Sequence, residues 1–234
     1  MRHVSTPHPV GTVIVPTSGT PRYTAFYAAL EALQVPAGSR LITTESCELA
    51  AALNKAVDQM LGEWIWFLGD DHTFDPTLLL RLLDHNLDVV VPLTVQRQSP
   101  FGPILLRGKT QADSFAMSWD EVPTGGGLWA LPADVYTGQA GALVRKGVID
   151  RVEKPMFRIG QYNPEKLNED FYFNARIREL GIPHVVDTGA VLGHINSFAI
   201  TPYVENGTWR VALIRNGQPE FRATPPAVQA GGER

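Results

Sequence analysis

The chain has 234 residues, 24 Asp and Glu against 20 Lys and Arg, a formal charge of −4, and 44% hydrophobic residues. That length and apolar content suit one large α/β domain, with enough chain to bury a sizeable core. No Lys/Arg run stands out, so the electrostatic footprint of a general nucleic-acid binder is missing; the single cysteine, Cys47, excludes an intrachain disulfide.

Strands and helices alternate through the first half. Val10 to Val15 reads as a strand ended by Pro16, and Tyr23 to Leu33 has apolar residues at helical spacing. Arg40 to Thr43 is a short strand. Leu49 to Leu61 is a helix entered through Thr44-Glu45-Ser46. Trp64 to Leu68 is an apolar strand, followed by Gly69, Asp70, Asp71 and His72. Asp75-Pro76 then opens a Leu-rich helix over Thr77 to Leu83, with Asp as cap and Pro in the first turn. Asp88 to Val91 is the next strand. Strands separated by helices predict right-handed crossovers and a parallel sheet. Such sheets bind ligands beyond the carboxyl ends of their strands, where Pro16 to Pro21, Thr43 to Ser46 and Gly69 to Asp75 form loops.

The second half changes character. Gln96 to Pro103 is a polar connection, and Ile104 to Trp129 is weakly alternating, with a Gly125-Gly126-Gly127 turn. Gly138 to Val144 reads as a small-residue strand where backbone can approach a ligand closely. Asn168 to Leu180 is a helix whose first turn carries Glu169 and Asp170, and Gly181 stops it. His184 to Asp187 and Ala190 to His194 are the expected last strands. Residues 1–222 are expected to form a single domain, and 223–234 a flexible tail.

Three explanations compete for Asp70, Asp71 and His72. Turn chemistry is the bland one. A carboxylate pair for general acid/base work is the second. A divalent cation site is the third, because hard oxygen ligands with a histidine suit Mg²⁺ or Mn²⁺. Adjacent like charges beside an apolar strand repel unless a cation or hydrogen bonds offset them. Glu169 and Asp170 are also favoured at a helix start by the dipole alone. The less common feature is the combination: two acids and a histidine, an acidic helix start, and a late Gly193-His194-Ile195.

The order "WIWFLGDDHTFDPTLLLRLL", "GQAGALVRKGVID" and "NEDFYFNARIRELGIPHVVDTGAVLGHI" resembles the family 2-type glycosyltransferases of GT-A fold, including those often found in phage genomes. The resemblance runs roughly from Val10 to Ile195. It implies a mainly parallel mixed sheet flanked by helices, with a nucleotide-sugar half at about 8–95 and an acceptor and catalytic half at about 96–222. It also implies a nucleotide-sugar donor, an acceptor that is a glycan, small molecule or modified nucleic-acid base, and a Mn²⁺ or Mg²⁺ cofactor. The family spacing places a proline five residues after the last Asp of its metal-binding Asp-x-Asp motif. Counting back from Pro76 assigns that acid to Asp71 and leaves Gly69 at the first Asp, so that Asp70 is expected to share the role. His194 completes the metal shell, and His72 is expected to support it from behind. Asp170, with Glu169 beside it, matches the catalytic base of inverting members. Pro16, Thr17, Ser18 and Gly19 match the first nucleotide-contact loop. Glu45 sits where the base would be held, Arg97 and Gln98 where sugar or acceptor would pass, and Gln139 and Gly141 where the donor-sugar pocket is shaped.

Neither a GxGxxG nor a P-loop pattern is present, so Rossmann dinucleotide and P-loop chemistry are unsupported. Two rival readings stand beside the transferase. One is a metal-dependent nucleotidyltransferase or phosphohydrolase, and the other is a non-catalytic nucleotide-sugar-binding module, motivated by Gly69. Cys47 has no base beside it and reads as structural. His3, His8, His85 and His184 read as surface or strand residues, and Trp129 is a candidate for stacking on a sugar ring. No apolar run reaches the ~18 residues of a spanning helix, and no signal peptide is visible, so a cytoplasmic protein is expected.

Overall fold

The structure is a computed structural model that describes residues 1–17, 23–46, 48–108, 115–159, 168–196, 199–215 and 218–223. The first half contains β1 (Arg2–Val4), β2 (Thr12–Thr17), α1 (Thr24–Ala32), β3 (Gln34–Pro36), β4 (Arg40–Glu45), α2 (Leu49–Val57), β5 (Trp64–Phe67), β6 (His72–Phe74), α3 (Leu78–Asp84) and β7 (Val89–Thr94). The second contains β8 (Leu105–Arg107), β9 (Phe115–Ala116), β10 (Leu128–Ala130), β11 (Val135–Thr137), β12 (Leu143–Arg145), α4 (Lys146–Ile149) and α5 (Glu169–Glu179). Then follow β13 (Val185–Ile195), β14 (Ala199–Glu205), β15 (Thr208–Arg215) and β16 (Gln218–Ala223).

The main sheet has the order β16-β15-β14-β13-β7-β12-β5-β2-β4, with β6 and β10 pairing onto β13. β4, β2 and β5 are parallel, and so are β7 and β13. Between β5 and β7 lies β12, antiparallel to both. β5 and β7 therefore share one sense, so the first-half strands β4, β2, β5 and β7 run parallel as expected, and β12 is an antiparallel member of a mainly parallel mixed sheet. No helix crossover precedes β12, so nothing forces it to enter the sheet in the parallel sense.

The central strands are buried on both faces, which is why they read as continuous apolar runs. Ile65 and Phe67 of β5 face one core with Ile14, Leu53, Val57, Phe173 and Ile177, so α2 and α5 cover that side. Trp64 and Trp66 face the other, with Val13, Val15, Phe26 of α1 and the leucines of α3. Phe67 sits edge-on to both Phe157 and Phe173. A third core under the second half gathers Leu93, Leu105, Met117, Trp119, Val186 and Trp209.

Several expected boundaries change. Residues 138–142 are not a strand but a turn, and β12 is only Leu143–Arg145. The two expected strands at 184–187 and 190–194 are one 11-residue strand, β13, whose register against β7 shifts between Asp187 and Val191. Asp75 does not cap α3 directly. Its carboxylate accepts from the Thr77 amide at 2.7 Å and hydroxyl at 2.6 Å, and Thr77 is the cap position. The β14–β15 hairpin turns on Asn206 (φ 52°) and Gly207 (φ 73°), a two-residue Asn-Gly loop of the kind that favours hairpins. Ala223 ends β16, so the expected tail loses its first residue, and 224–234 lie outside the described residues.

Among the described residues, no helix is long and apolar enough to cross a membrane.

Candidate active site

The carboxyl ends of β2, β5 and β7 open onto one cavity of about 440 Å³. Pro16 and Thr17 line it from β2, and Ser46 from just beyond β4. Phe67 to His72 contribute from β5 and its turn, and Thr94 and Arg97 from β7. Thr137 to Ala140, Glu169, Asp170 and His194 close it from the second half. This is the rim at which open α/β sheets hold ligands.

Three residues converge there. One ligand atom each from Asp71, His72 and His194 lies within 4.8 Å of the others. The backbone explains why. β6 and β13 are antiparallel with His72 directly opposite His194, so both rings leave the same face of the ladder and stack at 4.4 Å. The Asp71 carbonyl is held by the Ile195 amide at 2.7 Å. The Asp71 carboxylate reaches His72 Nδ1 at 3.2 Å, Arg97 at 2.8 Å and His194 Nε2 at 3.5 Å. His194 Nδ1 is 2.8 Å from the Val95 carbonyl, which can only accept. That nitrogen therefore carries a hydrogen, and Nε2 is the ring atom turned to the carboxylate.

The electrostatics suit a cation. Burial raises the Asp71 carboxyl, but the hydrogen bond with His194 and the charges of His72, His194 and Arg97 outweigh it, holding its pKa at about 2. Burial, helped by the charge of His194, pushes the His72 imidazole down to about 4, so it is neutral at pH 7. His72 Nε2 is buried and has no hydrogen-bond partner. An ionised carboxylate, a neutral His72 imidazole with an orphaned ring nitrogen, and the His194 ring fit a divalent cation.

Asp170 lies in the first turn of α5 on the same cavity. Its Oδ1 accepts from the Phe171 amide at 2.8 Å. Burial, with the charge of Glu169 adding to it, raises its pKa to about 7 against the pull of backbone amides. One turn on, Asn174 is buried, donates to the Thr137 carbonyl at 2.5 Å and is bonded through Oδ1 to His184 Nε2 at 2.8 Å. That chain fastens α5 to the end of β11. It also brings Gly138 beside Asp170, where a Cβ would stand 3.3 Å from Asp170 Oδ2.

Residues 22–136 match the family model "Glycosyl transferase family 2". The crystal structure of A197 from STIV superposes with a TM-score of 0.53 at 14% identity, covering 94% of this chain and 97% of that one. The chain has a GT-A fold, and its residues 22–136 are similar to glycosyltransferase family 2. GalNAc-T7, solved with UDP, GalNAc and Mn²⁺, shares the fold with a TM-score of 0.50 at 10% identity, over 81% of this chain and 44% of that one. No curated protein sequence matches.

The GT-A setting makes the glycine in the acidic motif informative. A Cβ on Gly69 would lie 2.7 Å from the His72 ring and 2.8 Å from Asp71 Oδ1. His72 has taken the space an acid would need. His72 was expected behind the metal shell, on the argument that neighbouring side chains of an extended segment diverge. Asp70 and Asp71 instead form a turn, and His72 starts a new strand, so the alternation does not run across them. Asp70 is buried and lines the cavity, but it is not one of the three converging residues.

Other expected positions divide. Pro16, Thr17, Glu169, Arg97 and Gln139 line the GT-A cavity. Gly19, Ser18 and Cys47 lie outside the described residues. Glu45 is exposed at the end of β4 and does not line the cavity; Ser46 next to it does. Gly141 sits behind the wall, and Trp129 pairs with Val186 and packs on the third core, away from the cavity lining. His184 is buried at 1% exposure rather than at the surface, and His85 bonds the buried Asp187 at 2.8 Å. Neither histidine has a local sequence signal, because Asn174 and Asp187 are distant partners.

Proposed function

We propose that this chain transfers a sugar from a nucleoside-diphosphate donor to an acceptor hydroxyl, with inversion at the anomeric carbon. One observation carries the reading: the Asp71–His72–His194 cluster and the raised carboxyl of Asp170 line one cavity at the carboxyl ends of the sheet. Asp71, His72 and His194 would hold the divalent cation, with Asp70 close by on the same wall. When bound, that cation supplies neutralisation of the charge that builds on the departing diphosphate. Two imidazoles beside a single carboxylate favour Mn²⁺ over Mg²⁺. Mn²⁺ and UDP accompany the neighbouring fold of GalNAc-T7, which supports both as first trial ligands.

The protein's own groups do the rest. Arg97, already against Asp71, offers a guanidinium to a phosphate oxygen. Pro16 and Thr17 border the nucleotide's place at the end of β2. Asp170 accepts the proton of the acceptor hydroxyl as that oxygen attacks. A base with a pKa near working pH is suited to this, because it is ionised often enough and still basic enough. Glu169 raises that pKa through its charge. The non-catalytic alternative rested on the missing acid at Gly69, and His72 occupies its space.

The test is release of nucleoside diphosphate from a panel of nucleotide-sugars, with and without Mn²⁺. Metal-dependent release that falls ~10²- to 10⁴-fold in Asp170→Asn, with donor affinity kept, is the expected outcome. Full turnover by Asp170→Asn would remove the base assignment. Release of sugar 1-phosphate in place of nucleoside diphosphate would favour nucleotidyl transfer or phosphohydrolysis.

A further inference from the structure

Arg97 reaches Asp71 from a loop that does little by itself to hold it. Gln98, Ser99 and Pro100 are exposed, and the Arg97 side chain is 41% exposed. The loop leaves the end of β7 and folds back on itself. Val95 bridges Pro103 in the antiparallel sense, the Gln96 amide donates to the Gly102 carbonyl at 2.8 Å, and the Phe101 amide donates to the Gln98 carbonyl at 2.8 Å. These bonds close the loop's two ends on each other and leave its tip to be fixed from outside.

Trp119 supplies that fixing. Its Nε1 donates to the Phe101 carbonyl at 2.9 Å. Phe101 has φ 57°, the left-handed region, which is costly for a bulky side chain and persists only where the surroundings enforce it. Trp119 is itself buried and opens a single 3₁₀ turn, Trp119–Glu121. Its ring lies 5.2 Å from that of Trp209 on β15, tilted by 37°. Trp209 Nε1 donates to a different carbonyl, that of Val122, at 3.1 Å. The two indoles share one place in the third core and differ in what they hold. Of the pair, Trp119 is the one bonded to the loop of Arg97. The base of the same loop meets the cation cluster, because the Val95 carbonyl accepts from His194 Nδ1.

We infer that Trp119 is a positioning residue: its indole N–H latches the 95–103 loop so that the Arg97 guanidinium stands ready for the diphosphate. This rests on the donor reading proposed above, in which Arg97 takes a phosphate oxygen. Ordering a loop and a long side chain on binding lowers affinity, and a loop already latched avoids that loss. The latch acts from outside the cavity, since Trp119 is not among the residues that line it.

The test uses the whole chain with Mn²⁺ and four variants: Trp119→Phe, Trp209→Phe, Arg97→Met and the double variant of Trp119→Phe with Arg97→Met. UDP, GDP, ADP, CDP and dTDP are titrated by calorimetry well below the lowest Tm, and the tightest ligand is carried through the series. Both Trp→Phe changes keep an aromatic ring in the pair and strand one backbone carbonyl, so each should lower Tm by a similar amount, roughly 3–10 °C. Their effects on the nucleotide should differ. Trp119→Phe should weaken it ~5- to 10-fold, and Trp209→Phe should leave it within about twofold of wild type. Arg97→Met should weaken it ~10- to 100-fold, and the double variant should bind within about twofold of Arg97→Met alone, because the latch then has nothing to position. Wild-type affinity in Trp119→Phe, an equal loss in Trp209→Phe, or a loss that adds in full to that of Arg97→Met overturns the inference while leaving the donor reading intact. Failure of wild type to bind any of the five nucleotides with Mn²⁺ removes the donor reading and this inference with it.

Discussion

Asp71 is bonded to three cationic or imidazole groups at once, which makes it sensitive in a readable way. Asp71→Ala should lower Mn²⁺-dependent UDP affinity by at least ~100-fold in titration calorimetry, since even residues behind a metal shell cost ~10- to 100-fold. Gly69→Asp, which restores the family's acidic pattern, should do harm instead. The added Cβ meets the His72 ring, so overpacking of ~1–3 kcal/mol is expected, together with loss of the Mn²⁺ response. An active, Mn²⁺-binding Gly69→Asp would show that His72 is free to step aside. Asp170 carries a pH signature. Its folded pKa is about 7 against an ordinary 3.8, so the folded state binds the extra proton between those values. Stability contributed by this group is therefore full below about pH 3.8 and declines as pH rises towards 7. Asp170→Asn should gain Tm relative to wild type at pH 8 but not at pH 4, while wild-type kcat/KM should rise through an acid limb near pH 7. A pH-independent Tm difference would contradict the raised pKa. Asp71 and Asp170 were legible in the sequence because a buried strand and a helix start frame them. The role of His72 was not, because it turns on where one extended segment ends and the next begins.

Two elements carry the geometry. β5 supplies both cores through alternating Trp64, Ile65, Trp66 and Phe67, and its end presents the acidic turn. Phe67→Ala should cost ~3–5 kcal/mol in denaturant unfolding, because Phe157 and Phe173 cannot both collapse into the space. α5 is fastened by the His184–Asn174–Thr137 chain. Asn174→Leu should cost ~1–3 kcal/mol by stranding His184 and the Thr137 carbonyl. It should also lower kcat more than donor affinity, because the helix that carries Asp170 loses its tether. An unchanged kcat with lowered stability would make the chain purely structural. Strand and helix periodicity marked both elements, and the boundaries moved by only a few residues. The direction of β12 was not legible, because a short run bounded by glycines fits either sense of pairing. The β14–β15 hairpin did carry a signal, Asn206-Gly207 between alternating residues, and it is readable once that turn chemistry is weighed.

At the scale of the molecule, the cavity draws on residues from Pro16 to His194, so ligand binding should stabilise the whole cooperative unit. UDP with Mn²⁺ at about 100 times the dissociation constant should raise Tm by roughly 5–10 °C, and chelation of the metal should abolish the gain. A gain that survives chelation would assign the nucleotide's affinity to Arg97 and backbone groups alone. The parallel α/β plan and the rim position of the acids were readable from element order. The assembly of His72 with His194 depended on a pairing between residues more than a hundred positions apart. That pairing has a further consequence. β13 pairs with β7 on both sides of the 188–190 irregularity, in a shifted register, and His194 lies only past it. A residue gained or lost within 188–190 falls where β13 already departs from the β7 ladder, and the paired rings keep their alignment. The same change at Val191 or Leu192 falls on the paired ladder, and it turns His194 to the opposite face of the sheet. Length variation along this strand is therefore tolerated on one side of the kink and ruinous on the other.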